Sequence, residues 1–320
     1  MLNSRENFMR IFQHQMPEFV PADGPYDMIF SPAEHYRDSH EAGAVGLDWF
    51  GVSWTYTEPF LAVPTPGVYR LESIEDWEAE NVIPDAAKIE SFDWEKYCKG
   101  FTDRWNREER ISVAMISSGF FERMHHLLGF EEALVSFYTA PEEIHDFLDA
   151  LLEFKKHTIR KIYEYAHPDI ILFMDDYGNA KNLFFSKEMW DEFFAPRLKK
   201  IIDYVHELGM IFEMHSCGYI QPLIADMVEM GIDILQPLQA MNDMQYVKKN
   251  FGDRIVLHGG ITASEMMEDP LMAREKVREC VRCMAPGGNF IPLLSECFEK
   301  REFVSGLFRE ELKEIGFDYQ

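Results

Sequence analysis

The chain has 320 residues, 47% of them hydrophobic, enough to bury a substantial core as one large domain or two small ones. Its 31 basic and 56 acidic residues leave a formal charge of −25, which repels nucleic acid and anionic lipid and suits solubility in the cytoplasm. Five cysteines, an odd number in a long chain, speak against a secreted disulfide framework and for a reducing compartment. No apolar run approaches the roughly 20 residues that span a bilayer, and the opening MLNSRENFMRIFQ lacks the apolar stretch of a signal peptide. The expectation is a cytoplasmic protein with no membrane and no nucleic-acid partner.

That opening reads as a short amphipathic helix with Phe8, Ile11 and Phe12 on one face. Short apolar runs ending in polar or glycine-rich turns then predict strands at Phe19–Gly24, Val45–Val52, Ile111–Ile116, Ile170–Asp175, Met210–His215, Asp233–Leu238, Arg254–Gly259 and Asn289–Leu294. Helical spacing of apolar residues predicts helices at Pro141–Tyr165, Lys187–Leu208 and Pro270–Met284. Pro21, Pro25, Pro32, Pro59, Pro64 and Pro66 predict long loops in the first hundred residues, capping the rest. Strands that alternate with helices imply an α/β chain with a parallel sheet. Eight of them fit a closed (β/α)8 TIM barrel with an N-terminal helical and loop extension, one domain over residues 1–320. A doubly wound open sheet is the rival, and its G-x-G-x-x-G signature is absent.

Catalytic groups of such barrels sit at the C-terminal ends of strands. Here those ends carry Asp175-Asp176-Tyr177, His215-Ser216-Cys217, Gln236 and Gln239, His258-Gly259-Gly260, and Ser295-Glu296-Cys297. At a strand end residues i and i+2 project to the same side, so His215 and Cys217 can reach one ion, and Cys297 arrives from the last strand. Two thiolates and an imidazole favour zinc and leave a fourth position for substrate. A hydrogen-bonded core histidine with two packed thiols accounts for the spacing equally well. Asp175 and Asp176 are candidates for a fourth ligand, a general base or substrate hydrogen bonds, and His258 for a catalytic or supporting role. Tyr177, Gln236, Gln239 and Glu296 are the candidate substrate-binding residues. Cys280-x-x-Cys283 falls at helical spacing and reads as packing. His125-His126 reads as a solvated loop. Trp49, Phe50, Trp54, Tyr56, Phe60, Phe120 and Phe121 offer either an aromatic pocket or core packing.

The segments FMDDYGNAKNLFFSKEMWDEFFAPRLKKIIDYVHELGM, FEMHSCGYIQPLIADMVEMGIDILQPLQ, FGDRIVLHGGI and APGGNFIPLLSEC resemble the uroporphyrinogen decarboxylase superfamily, most closely its zinc- and corrinoid-dependent methyltransferases. The resemblance runs over most of the chain and is strongest from 169 to 297. It implies an H-x-C…C zinc triad, matched by His215, Cys217 and Cys297. It also implies methyl transfer involving the cobalt of a corrinoid (cobalamin) on a partner protein, with a small-molecule methyl donor or thiol acceptor as substrate. Demethylation of a methoxylated, aromatic donor is the leading expectation and a methylcobalamin:thiol methyltransferase the alternative; a non-enzymatic metal- or corrinoid-binding protein is the third reading. The porphyrin decarboxylases carry an arginine-rich motif after the first strand, which PADGPYDMIFSPAEHYRD lacks, so decarboxylation is not expected. A homodimer is compatible with the sequence.

Overall fold

The computed structural model describes residues 2–21, 26–34, 43–57, 61–262, 269–295 and 301–316. In chain order the elements are α1 (Ser4–Phe12), β1 (Tyr26–Phe30), β2 (Val45–Leu47), β3 (Ser53–Thr57), β4 (Leu61–Pro64), α2 (Ala86–Ser91), α3 (Trp94–Thr102), β5 (Ile111–Ile116), α4 (Phe121–Leu128), α5 (Phe130–Thr139) and α6 (Pro141–Ala166). They continue with β6 (Ile170–Met174), α7 (Lys187–Met189), a π-helical turn Trp190–Phe194, α8 (Ala195–Glu207), β7 (Ile211–His215), α9 (Gln221–Met230), β8 (Ile234–Leu238), α10 (Met244–Phe251), β9 (Val256–Thr262), α11 (Pro270–Met284), β10 (Phe290–Ser295) and α12 (Arg301–Ile315).

Seven strands form one parallel sheet in the order β1-β5-β6-β7-β8-β9-β10, and helices cross between neighbours. The sheet curls. In a flat sheet β1 and β9 would lie five strand spacings, about 24 Å, apart, yet the Tyr26 and His258 rings are 6.1 Å apart. One apolar cluster inside the curl collects Ile111, Val113, Ile170, Leu172, Ile234, Val256 and Ile291, alternate residues of five strands, and Phe8 and Ile11 of α1 close its lower end. The predicted amphipathic helix is therefore a plug. Asn3 and Glu6 form its capping box. Arg5 pins it by a two-pronged ion pair to Asp169 at 2.6 and 2.7 Å.

Two of the eight expected strands are corrected. The first parallel strand is Tyr26–Phe30: residues 19–21 are not extended into the sheet, and 22–24 lie outside the described residues. Pro21 and Pro25 donate no ladder hydrogen bond, whereas Tyr26–Phe30 pairs in register with Tyr26 opposite Ile111 and Phe30 opposite Met115. In Val45–Val52 only Val45–Leu47 is extended, and it pairs antiparallel with Ser53–Thr57 in a separate three-stranded sheet. Asp48 Oδ1 accepts from Phe50 N and Val52 N, at 2.9 and 3.0 Å, and Gly51 takes φ +80°, so the chain turns back on itself there. Among the described residues the first hundred hold a β-meander, a 3-10 turn at Ile74–Asp76 and two short helices, with the expected long loops present as irregular chain over 65–73 and 77–85.

The meander is fastened by charge. Arg123 of α4 bonds Asp48 at 2.6 Å and Glu34 at 3.0 Å, and Lys155 of α6 reaches Glu34 at 3.3 Å, with all four side chains wholly buried. The guanidinium also lies 4.0 Å over the Phe50 ring. Two cations and two anions balance, which is what makes such burial tolerable. His125 and His126 flank this group on α4, a helix and not the expected solvated loop. Burial pushes His125 down to about 4. Phe50, Trp54, Tyr56, Phe120 and Phe121 are core side chains, so of the two readings of those aromatics packing is what the structure shows; Phe60 lies outside the described residues. Replacing Arg123 with Met should leave two buried carboxylates, Glu34 and Asp48, with Lys155 as the one remaining cation of the cluster, and urea denaturation should show a loss of about 3–5 kcal/mol; a loss under about 1 kcal/mol would show that the cluster does not fasten the meander.

Candidate metal centre

The rim of the curl is assembled from two interlocked strand-end loops. Past β6 the chain reads Asp175-Asp176-Tyr177-Gly178, and past Met214 on β7 it reads His215-Ser216-Cys217-Gly218. The ladder continues into the rim, with Asp175 N donating to His215 O at 3.0 Å and Ser216 N to Gln236 O at 2.9 Å. Tyr177 N donates to Ser216 Oγ at 3.0 Å, and Tyr219 N to Asn179 O at 2.7 Å. A Cβ on Gly218, which sits at φ +85°, would lie 2.4 Å from Gly178 O, so the loops touch backbone to backbone. Asn242 braces the second loop by donating to Gly218 O at 2.9 Å and accepting from Ile220 N at 2.9 Å.

This frame brings Asp176, His215 and Cys217 together, with one potential ligand atom of each within 4.8 Å of the others. Cys217 Sγ lies 3.4 Å from His215 Nε2, which lies 3.7 Å from Asp176 Oδ1. Asp176 Oδ1 also accepts the Cys217 backbone N–H at 2.7 Å, which fixes the carboxylate against the thiol-bearing residue. Gln236 Oε1 holds His215 Nδ1, so Nδ1 carries the proton and the Nε2 lone pair is left facing the thiol and carboxylate. One nitrogen, one sulfur and one oxygen, all on side chains partly open to solvent, fit a zinc-class ion. Cys297 and Glu296 lie outside the described residues.

The other predicted site residues divide. Gln236 is the orienting partner of His215. Gln239 is buried and accepts from Gly218 N at 2.7 Å, so it shapes the loop. Tyr177 is wholly buried, its ring among Phe185, Trp190 and Phe194. Asp175 turns away from its neighbour: it is buried and accepts from the backbone N–H groups of Phe120, Phe121 and Glu122 at 2.8, 3.2 and 2.9 Å, capping α4. His258 sits deeper inside the curl, bonded through Nδ1 to Glu213 Oε1 at 2.7 Å. Cys280 packs under Gly260 as expected, where an added Cβ would meet its Sγ at 2.5 Å, but Cys283 is exposed and not packed. Sequence reasoning missed Glu122 and Glu213. Glu122 Oε2 is buried without a hydrogen-bond partner, and burial, reinforced by the charges of Asp176 and Asp175, pushes its carboxyl well above the usual range. A glutamate in a helical segment gives no sign of this.

Two predictions follow from these loops. Gly218→Ala should cost about 2 kcal/mol or more in chemical denaturation and weaken zinc binding at least about tenfold in a chelator competition, because strain and a backbone collision coincide; wild-type affinity would show that the loops are not interlocked as described. Burial raises Asp175 to about 6, opposed by its backbone N–H donors. A raised carboxyl stabilises the fold below its unfolded value and loses that contribution as pH rises through about 6. Asp175→Asn should therefore gain on the wild type, by on the order of 1–3 kcal/mol between pH 4 and 7; a pH-independent difference would contradict the assignment.

Among the described residues no helix is long and apolar enough to cross a membrane. No curated protein matches the chain. Its structure is similar to that of a methyltransferase from Methanosarcina mazei, with 13% identity and a TM-score of 0.72 over 98% of this chain and 99% of that one, a likeness of fold. A second solved structure, 3-keto-L-gulonate-6-phosphate decarboxylase from Vibrio cholerae, shares 11% identity over 77% of this chain and 94% of that one, at a TM-score of 0.34 that carries no argument. The model of the family described as Uroporphyrinogen decarboxylase (URO-D) matches residues 75–295, well over half the sequence, and the chain belongs to that family.

Proposed function

We propose that this protein is a zinc-dependent methyltransferase that takes the methyl group of a methoxylated, aromatic compound and delivers it to the cobalt of a corrinoid protein. The observation that carries the reading is the convergence of Asp176, His215 and Cys217 at a solvent-open rim, with His215 Nε2 freed for an ion by Gln236. The fold it shares with a methyltransferase from Methanosarcina mazei is consistent with it. We take the chain as one closed (β/α)8 barrel domain acting in the cytoplasm.

His215 and Cys217, with Cys297 from the segment after β10, would hold zinc, and Asp176 is placed to fill the remaining position until substrate arrives. Bound there, zinc supplies Lewis acidity that makes the oxygen of a methyl ether a better leaving group. The protein's part is positioning. Gln236 fixes the imidazole's tautomer, and Asp176 fixes the Cys217 backbone.

Purified protein should hold about one zinc per chain. Cys217→Ala should lose most of it, whereas replacing Cys280 and Cys283 together with Ala should leave it in place. Methoxyarene demethylation should proceed with a reduced corrinoid protein. Turnover with methylcobalamin and a thiol instead would assign the thiol-dependent reaction, and absence of zinc from the wild type would overturn the proposal.

A further inference from the structure

Beside the rim a groove of about 550 Å³ runs between the loop after β4 and the start of α5, with Tyr69, Glu72, Phe130, Glu131 and Glu132 in its lining. Both walls are held in place. Arg70 N and Leu71 N donate to Leu127 O at 2.9 and 3.0 Å, which ties the loop to the end of α4. The Tyr69 ring then lies on Gly129, where an added Cβ would stand 2.8 Å from it. Phe130 meets Phe121 and Phe184 edge-on, with ring centroids 5.8 and 5.0 Å away. Phe121 begins the helix that Asp175 caps, and Phe184 N donates to Tyr177 O at 2.9 Å. The groove therefore borders the strand-end loops that frame the candidate metal centre.

Its surroundings are apolar and exposed. Tyr69 is 57% exposed and Phe130 42%, and further along α5 Tyr138 is 80% exposed near Val135. Phe130, Leu134 and Tyr138 recur at every fourth residue and so share one face of the helix. Single exposed apolar residues are ordinary, whereas several gathered around a groove mark an interaction site. The groove is also negative. Among the described residues Glu72, Glu131 and Glu132 have no ion-pair partner, while the neighbouring Arg70 is engaged by Glu80 at 2.7 Å. The N-terminus of α5 offsets only about half a charge. Aromatic faces flanked by carboxylates fit a lysine or arginine side chain, which ring and carboxylate attract together. A second copy of this chain, with a formal charge of −25, would instead bring like charge to the groove.

We propose that this groove and the exposed face of α5 dock the corrinoid protein, which meets them with a lysine or arginine set among apolar side chains. The inference rests on the methyltransferase reading above, in which a cobalt carried by another protein must reach the rim. A protein seated there covers about 800 Å², a disc of roughly 16 Å radius, and so takes in the ground beside the opening. Tyr69, Phe130 and Tyr138 anchor the contact, and Glu131 and Glu132 steer the encounter.

Calorimetry with the zinc-loaded protein and the purified corrinoid protein tests this. Glu131→Lys combined with Glu132→Lys should weaken binding about tenfold or more at unchanged zinc content, and so should Tyr69→Ala combined with Tyr138→Ala. Demethylation with free reduced cobalamin in place of the corrinoid protein should proceed equally in these variants and the wild type. Should the variants fail to fold, amide hydrogen exchange in the wild type gives the same answer: it should slow over residues 67–72 and 130–138 when the corrinoid protein is added. Unchanged binding in both variants, protection confined to other surfaces, or no binding at all overturns the proposal. A wild-type dimer that the substitutions split does so too, since it makes a second copy the occupant. Demethylation with free cobalamin but no docking at the groove rejects this inference and retains the methyltransferase; docking at the groove without demethylation of any methoxyarene does the reverse.

Discussion

Two adjacent carboxylates at the end of β6 face opposite ways, and the organisation of the rim depends on that divergence. Asp175 gathers three backbone N–H groups at the start of α4, and an added Cβ on Gly119 would lie 2.3 Å from its side chain. Asp176 instead takes the Cys217 N–H and faces His215. Because successive side chains on an extended strand alternate in direction, one pair of identical residues can hold a helix on one side and frame a metal site on the other. The helix held by Asp175 carries Arg123, so the same strand end also sets where the buried charge cluster and the N-terminal meander sit.

The interior is graded in chemistry from bottom to top. Aliphatic side chains and α1 seal the lower end, a carboxylate–imidazole couple occupies the middle, and methionine, histidine and glutamine line the opening. Methionine is soft and conformationally adaptable, which suits the wall of an opening. The polar groups are few and each is oriented by another: Gln236 sets His215, Glu213 sets His258, and Gln239 and Asn242 set the loop that carries Cys217. Such oriented pairs give a site precision that isolated side chains on loops do not have.

Much of this was legible in the sequence where a local pattern decides it. The strands Ile111–Ile116 and Ile170–Met174 and the long helix from Pro141 follow from apolar period and proline punctuation. The pairing of His215 with Cys217 follows from the two-residue period of a strand. What failed depended on distant partners. The α4 helix begins at Phe121 with its cap 54 residues away in Asp175, so His125 and His126 read locally as a loop. Asp175 and Asp176 are indistinguishable in sequence, and only tertiary packing separates their roles. The meander's Val45–Val52 has the apolar content of a buried strand, but the turn at Gly51 gives it a different partner. Glu213 sits within an apolar strand, where a charged residue is the unusual choice, and that was a usable sign of a buried partner, His258.

Asp176, His215 and Cys217 are proposed to belong to a zinc site whose shell is open to substrate. Zinc K-edge absorption spectra of the metal-loaded protein, taken before and after a methoxylated phenol is added, test it most directly. The expected result is a mixed nitrogen, sulfur and oxygen shell in which an oxygen or nitrogen ligand is exchanged on adding the phenol while the sulfur signal persists. A shell of four protein ligands that is identical in both spectra would mark the metal as structural and rule out a zinc ion that substrate reaches.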